Sequence, residues 1–226
     1  MSDPDPRIAR GTTRMLDALG EAADRGAVRL GWKAGFGGPA ALASLGTDRP
    51  LVGFLTEDRL LADGDSVDVS GWTKPVLEAE VAAHIAADLG RGVTSAEALA
   101  AVGGWSLAIE LADVDRVPDD VEEILSGNIF HRHVLLGPVV ATRPNPLAVV
   151  VSRDGVESAS TDRPEELTGE LGYVLASMAD TLAAVDGGLC EGDIVITGSV
   201  VPPVPLTDGS WVVEADGLGR ITVKIG

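Results

Sequence analysis

From residue 51 to the C-terminus, apolar and polar positions alternate in short runs rather than at helical spacing. Val- and Ile-rich segments bounded by Gly, Pro and Asp recur at 51–55, 76–85, 107–112, 134–140, 147–152, 193–197, 211–215 and 220–225, and each predicts a strand. Three stretches follow a helical period instead. Ile8, Met15, Leu16, Leu19 and Ala23 predict a helix over 7–26. Thr94 and Glu97 have capping-box spacing and open a second helix running to about residue 102. Leu167, Leu171, Val174, Leu175, Met178, Leu182 and Val185 predict a third over 164–185, stopped by Gly187-Gly188. Residues 31–38 read as a glycine-rich turn around Lys33. Many strands and few helices predict an α+β fold with a mixed β-roll or barrel-like core rather than a doubly wound sheet. The organisation expected is a short N-terminal helical segment, residues 1–30, followed by one domain over 31–226.

One strand run carries unusual chemistry. Pro75-Val76-Leu77-Glu78-Ala79-Glu80-Val81 puts Glu78 and Glu80 on one strand face, with Leu77, Ala79 and Val81 on the other. Two carboxylates side by side among apolar residues store repulsion that a cation would relieve. An oxygen-only ligand set points to Mg²⁺ or Mn²⁺ rather than zinc. Glu110, in Ala108-Ile109-Glu110-Leu111-Ala112-Asp113, could supply a third oxygen. Taken alone, so short a motif also suits a solvated strand edge.

Composition narrows the setting. The 226 residues are 45% hydrophobic, enough for a full core. A net charge of −18, from 35 acidic and 17 basic residues, argues against nucleic acid and anionic membrane surfaces as partners. Cys190 is the single cysteine, which excludes an internal disulfide and a multi-cysteine zinc site. Met1–Pro6 shows no basic-then-apolar signal pattern, and no apolar run reaches membrane-spanning length, so a cytoplasmic protein is expected.

Several ordered motifs together resemble the fumarylacetoacetate hydrolase superfamily, nearest the 2-keto-4-pentenoate hydratases and 4-oxalocrotonate decarboxylases. They are Gly31-Trp32-Lys33-Ala34-Gly35, Gly53-Phe54-Leu55-Thr56-Glu57-Asp58, the Glu78/Glu80 run, the Glu110 run, Gly127-Asn128, Val134-Leu135-Leu136-Gly137-Pro138, Gly192-Asp193-Ile194-Val195-Ile196-Thr197-Gly198-Ser199 and Leu218-Gly219-Arg220-Ile221-Thr222-Val223. The resemblance implies Mg²⁺ or Mn²⁺ held by Glu78, Glu80 and Glu110, with Lys33 and Asp58 as catalytic groups. It places Gly35, Asn128, Arg132, Thr197 and Ser199 at a small-molecule 2-oxo acid, and it implies a homo-oligomer. A glutamate at 110, where C–C bond hydrolases of the superfamily usually have aspartate, favours a lyase. The expected reaction is hydration of a 2-hydroxypenta-2,4-dienoate-like acid. The alternatives are decarboxylation, then acylpyruvate-type hydrolysis needing a His–Glu pair, or a non-catalytic metal-binding homologue.

The chain also departs from the family pattern. Only 32 residues precede Lys33, about half the usual length, so the cap over the site is shortened. Phe36-Gly37-Gly38 replaces a hydroxyl-bearing stretch. Ile129-Phe130-His131-Arg132-His133 replaces small residues and a serine after Asn128. Arg132 or a histidine there could meet a second carboxylate on a larger substrate. Otherwise the segment is an exposed loop whose two histidines, at i and i+2, would share a face if extended. His84 is expected to be structural.

Overall fold

The computed structural model describes residues 5–145, 147–185 and 187–226. The reading of Met1–Pro6 therefore falls largely outside the described residues. Thirteen strands are described: β1 Arg29–Gly35, β2 Leu51–Thr56, β3 Leu60–Leu61, β4 Ser66–Val67, β5 Pro75–Ile85, β6 Val102–Asp113, β7 His131–Leu136, β8 Val149–Arg153, β9 Val156–Thr161, β10 Ile194–Ser199, β11 Val204–Pro205, β12 Gly209–Ala215 and β13 Gly219–Ile225. The helices are α1 Pro6–Asp24, α2 Pro39–Leu45, α3 Ser95–Ala100, α4 Val121–Ser126, α5 Glu165–Thr168 and α6 Leu171–Ala183. No described helix is long and apolar enough to cross a membrane.

The strands form two mixed sheets, as the alternation predicts. The larger runs β2-β1-β10-β5-β6-β7-β3, with β11 added to β5, and the smaller runs β4-β13-β12-β8-β9. Leu77, Ala79 and Val81 of β5 and Leu107, Ile109 and Leu111 of β6 share one core with Trp211, Val213, Ile221 and Val223 of the smaller sheet. The alternate residues of β5 and β6 look away from that core. This second face carries Glu78, Glu80 and Glu110, and it is covered in turn, since Glu80 and Glu110 have no exposed surface. On the same face His84 Nε2 lies 2.9 Å from Ser106 Oγ, a structural contact as expected.

Several local expectations are corrected. Lys33 lies in β1, not in a turn, and β1 is hydrogen-bonded on both sides, to β2 and β10. Its glycines mark close approach of neighbouring chain rather than a break. β6 begins at Val102, through Gly103-Gly104, and α3 accordingly ends at Ala100. β7 spans residues 131–136 instead of 134–140; its pairing with β6 is interrupted at Pro138, which has no amide hydrogen, and resumes as a single bridge between Val140 and Trp105. The 164–185 helix is split at Gly169, whose φ of 81° is left-handed. The edge strand β9 was not legible because its Glu-Ser-Ala-Ser run lacks an apolar face. Helices α2 and α4 are too short to show a period. α4 is held by Asp120, which accepts from the Glu122 amide at 2.9 Å.

Candidate metal and active site

The register of two long antiparallel strands builds the centre of the site. Glu78 of β5 pairs directly with Glu110 of β6, and Glu80 pairs with Ala108. One ligand oxygen from each of Glu78, Glu80 and Glu110 lies within 4.8 Å of the others. Glu80 Oε2 accepts the Gly198 amide at 2.7 Å, at the end of β10. Its other oxygen, Oε1, is buried without a hydrogen-bond partner, and so is Glu110 Oε2. An unpartnered buried carboxylate oxygen is costly, and two aimed into one cluster are what a hard divalent cation would satisfy. The donor set and the orphaned oxygens therefore fit Mg²⁺ or Mn²⁺.

Two basic side chains converge on the remaining oxygen of Glu110. Lys33 Nζ pairs with Glu110 Oε1 and donates to the Ile129 carbonyl at 3.1 Å. His131 Nδ1 meets the same Oε1 at 2.8 Å. These partners decide the charge of the cluster. Burial first, then Glu110, pushes the Glu78 carboxyl up from 4.5 to about 7, against the pull of Lys33. Burial and the neighbouring Glu110 and Glu78 hold Glu80 well above the carboxylate range. Burial opposes ionisation of Glu110 too, but the Lys33 cation and the His131 hydrogen bond outweigh it and hold that carboxyl low. Burial lowers His131. The metal-free site thus favours the protonated form of Glu80 and the ionised form of Glu110.

An ionised Glu110 only accepts, so His131 donates through Nδ1, and the neutral ring keeps Nε2 as an acceptor. That Nε2 is buried without a partner. The sequence reading placed His131 in a loop, or on one strand face with His133. Neither holds, because β7 carries a β-bulge. His131 pairs with Ala112 while His133 pairs with Leu111, so Arg132 is the extra residue. The bulge sends His131 to the Glu110 face and His133 to the other, where it stacks on Trp72 with ring centroids 6.2 Å apart. Substituting His131 by Ala is expected to weaken Mg²⁺ binding about 10- to 100-fold, the usual cost of removing a group that orients a metal ligand. His131→Asn, whose amide can donate from the position of Nδ1, should recover part of it. Calorimetric affinities equal to the unsubstituted protein's would remove His131 from this role.

The segment before β7 is strained to serve the same cluster. Asn128, Ile129 and Phe130 have φ of 52°, 50° and 63°. Left-handed non-glycine residues cost on the order of 1–3 kcal/mol each, and a β-branched Ile is the least suited. The conformation aims the Ile129 carbonyl at Lys33. It also lets the Asn128 side chain bond the Phe54 amide at 2.8 Å and the Phe54 carbonyl at 3.0 Å. Gly53 makes room for this, since a Cβ there would stand 2.7 Å from Asn128 Oδ1 and 3.0 Å from Lys33 Cγ. Gly35 similarly admits Ile129, whose Cγ2 would meet a Cβ at 2.8 Å.

A cleft of about 770 Å³ adjoins the cluster through His131 and includes Asn128, Thr56, Asp58 and Arg132 in its walls. Asp58 sits on a single 3₁₀ turn, exposed, 3.7 Å from Arg59. It is thus brought to the cleft but not into the carboxylate cluster. The Thr197 hydroxyl donates to the Val81 carbonyl at 2.9 Å and that of Ser199 to Val201 at 2.6 Å. Both hydroxyl hydrogens are committed to main chain.

Comparison with known proteins agrees with this geometry. The family model for the fumarylacetoacetate hydrolase C-terminal domain matches residues 38–226. A 2-keto-4-pentenoate hydratase of Burkholderia vietnamiensis is 29% identical over 203 residues, covering 85% of this chain and 76% of its own. A 4-oxalocrotonate decarboxylase of a Pseudomonas species is 27% identical over 205 residues, covering 88% and 79%. Among solved structures, the 4-oxalocrotonate decarboxylase of Pseudomonas putida G7 complexed with magnesium and adipate superposes with a TM-score of 0.89 at 23% identity, over 97% of this chain and 86% of that one. The fumarylpyruvate hydrolase of Pseudomonas aeruginosa in complex with Mn²⁺ and pyruvate superposes with a TM-score of 0.64 at 20% identity, over 88% and 89%.

Proposed function

Because this chain belongs to the fumarylacetoacetate hydrolase family, we propose that it is a metal-dependent hydratase of 2-hydroxypenta-2,4-dienoate-like acids, with Glu78, Glu80 and Glu110 as the ligands of Mg²⁺ or Mn²⁺. The observation that carries the reading is the three-carboxylate cluster with two orphaned oxygens, tied through Glu110 to a buried lysine. When bound, the cation supplies Lewis-acid stabilisation of negative charge on the substrate's carboxylate and 2-oxygen.

The chain's own groups account for the proton movements. An ammonium has three hydrogens, and Lys33 spends two on Glu110 and Ile129. The third is available to the substrate. Delivered to the terminal carbon of the dienol, with the 2-hydroxyl proton returned, it yields the 2-oxo-3-enoate without net change in protons. Water then adds its oxygen to C4 and a proton to C3, giving the 4-hydroxy-2-oxo acid. We assign the holding of that water to Asp58, which lines the cleft wall. Burial of Lys33 and Glu110 keeps bulk water from the proton-carrying pair.

Decarboxylation is the second reading, supported by the decarboxylase relatives and by the same need to stabilise charge on the 2-oxygen. Hydrolysis needs a His–Glu pair, and the structure does contain one that was not legible in the sequence, His131–Glu110. Its carboxylate is also a proposed metal ligand and Lys33's partner, so it is not a free base dyad. By the resemblance we further infer a cytoplasmic homo-oligomer, and the charge of −18 supports a protein that does not bind nucleic acid. The direct test follows the ultraviolet absorbance of 2-hydroxypenta-2,4-dienoate with purified protein. Loss of the dienol signal with Mg²⁺ but not with EDTA is expected. Mg²⁺ binding without turnover of any 2-hydroxydienoate would leave a metal-binding homologue.

A further inference from the structure

His131 touches the carboxylate cluster, yet the proposed reaction gives it no part in handling the substrate. It lies in the segment where the chain departs from the family pattern, so the resemblance assigns it no role. Its side chain is 3% exposed and is bonded to Glu110 through Nδ1 at 2.8 Å. Among the described side chains that line the cleft, it is the only one with a buried polar atom left unbonded, and that atom is Nε2. A buried acceptor without a donor is costly, so one that persists beside a cleft points to a ligand.

The chemistry of that atom limits what can meet it. The ring spends its hydrogen on Glu110, so Nε2 presents a lone pair. A carboxylate or keto oxygen only accepts and cannot bond there, whereas a hydroxyl or a water can. The neighbouring cleft donors bond elsewhere. The Asn128 amide donates to the Phe54 carbonyl at 3.0 Å and the Ser126 hydroxyl to the Glu123 carbonyl at 3.1 Å. Arg132 donates to the His131 carbonyl at 3.2 Å and to Asp115 at 3.4 Å. The two ring nitrogens point in diverging directions, and Nδ1 takes the one toward the ligand carboxylate. Nε2 therefore addresses the part of a bound acid that lies beyond its 2-oxygen.

Resting on the hydratase reading of the site, we propose that His131 Nε2 accepts a hydrogen bond from the oxygen that adds at C4, first as water and then as the product's 4-hydroxyl. The hydrogen it holds is the one that stays on that oxygen, so the ring remains neutral throughout. The water's other hydrogen is the one released, on the side of Asp58. With both hydrogens held, a lone pair of the water is left to meet C4. Decarboxylation adds no oxygen to the substrate and gives this acceptor nothing to bind, so the same histidine favours hydration over the second reading.

The test compares 2-oxopentanoate with 4-hydroxy-2-oxopentanoate, which differ by one hydroxyl, in equilibrium dialysis against the Mg²⁺-loaded protein. The hydroxy acid is expected to bind about tenfold tighter, the equivalent of about 1.4 kcal/mol. In His131→Asn, which can still donate to Glu110 but has nothing at the place of Nε2, that ratio should fall toward one while part of the Mg²⁺ affinity remains. A histidine that only braced Glu110 would leave the ratio unchanged. His131→Phe keeps a ring without either nitrogen and should lose the preference too, so that misfolding of one variant leaves the other to decide. Equal affinities in the unsubstituted protein, or a preference that survives in either folded variant, overturns the assignment of His131 alone. Failure of both acids to bind overturns the 2-oxo acid reading, and this inference with it.

Discussion

Glu80→Gln will melt higher than the unsubstituted protein when both are metal-free, and will lose both Mg²⁺ stabilisation and turnover. Glu80 is fully buried, with one oxygen bonded to the Gly198 amide and the other unpartnered. A glutamine keeps the Gly198 bond through its amide oxygen and turns its amide hydrogens toward the other carboxylates, donating hydrogen bonds without the proton uptake that the buried Glu80 carboxyl needs. The same change deletes one anionic ligand. Since a Lewis acid supplies several kcal/mol to such chemistry, the loss of rate should be about 10³-fold or more.

The pH dependence follows from the same carboxylates. Folding raises Glu78 from 4.5 to about 7 and Glu80 in the same direction. Between those values folded Glu78 and Glu80 hold protons that the unfolded chain has released, so their contribution to metal-free stability falls as pH rises from about 4.5 through about 7, while Glu110 and the three histidines, all lowered on folding, act in the opposite direction. Mg²⁺ displaces these protons. Its affinity should therefore fall about tenfold per pH unit below 7 for each proton displaced. Thermal melts at pH 5, 6, 7 and 8, with Mg²⁺ and with EDTA, read both trends. Mg²⁺ stabilisation intact in Glu80→Gln, or a metal-free pH dependence of melting that is the same in Glu80→Gln as in the unsubstituted protein, would sink the assignment of Glu80 as a raised carboxyl that binds the cation.

Period-two alternation made the central carboxylates legible. Glu78 and Glu80 had to share a face once the run around them was a strand, and Glu110 needed only a neighbouring strand. What alternation cannot give is register between strands about thirty residues apart, and it is the Glu78–Glu110 pairing that closes the cluster. The parts that stayed hidden are those where local rules are broken. A β-branched Ile129 at positive φ contradicts its own preference, so its carbonyl could not be foreseen as a partner of Lys33. One inserted residue at Arg132 reverses the parity that would have paired His131 with His133. Lys33 was found by resemblance but placed in the wrong element, because glycines that admit Ile129 and Asn128 look, in sequence, like turn formers. Local rules are expected to fail where a functional site overrides them.

Lys33→Met should separate a catalytic lysine from a structural one. Lys33 is buried and tied to Glu110, so removing it leaves an ionised carboxylate with only the neutral His131 as partner. Breaking a buried ion pair from one side costs about 3–5 kcal/mol, and the metal-free variant should be destabilised by that order. Mg²⁺ neutralises the stranded charge and should restore most of the loss. The double variant Lys33→Met/Glu110→Gln, which removes both charges, should recover stability without metal. Neither route returns the proton that Lys33 carries. With Mg²⁺ saturating and the fold intact by melting temperature, Lys33→Met should still be slower by about 10²–10⁴-fold in kcat, with 2-oxohexanoate still bound. A variant that regains full turnover when Mg²⁺ restores its stability would make Lys33 a counter-ion for Glu110 and nothing more, and the proton donor would have to be sought among the residues that line the cleft.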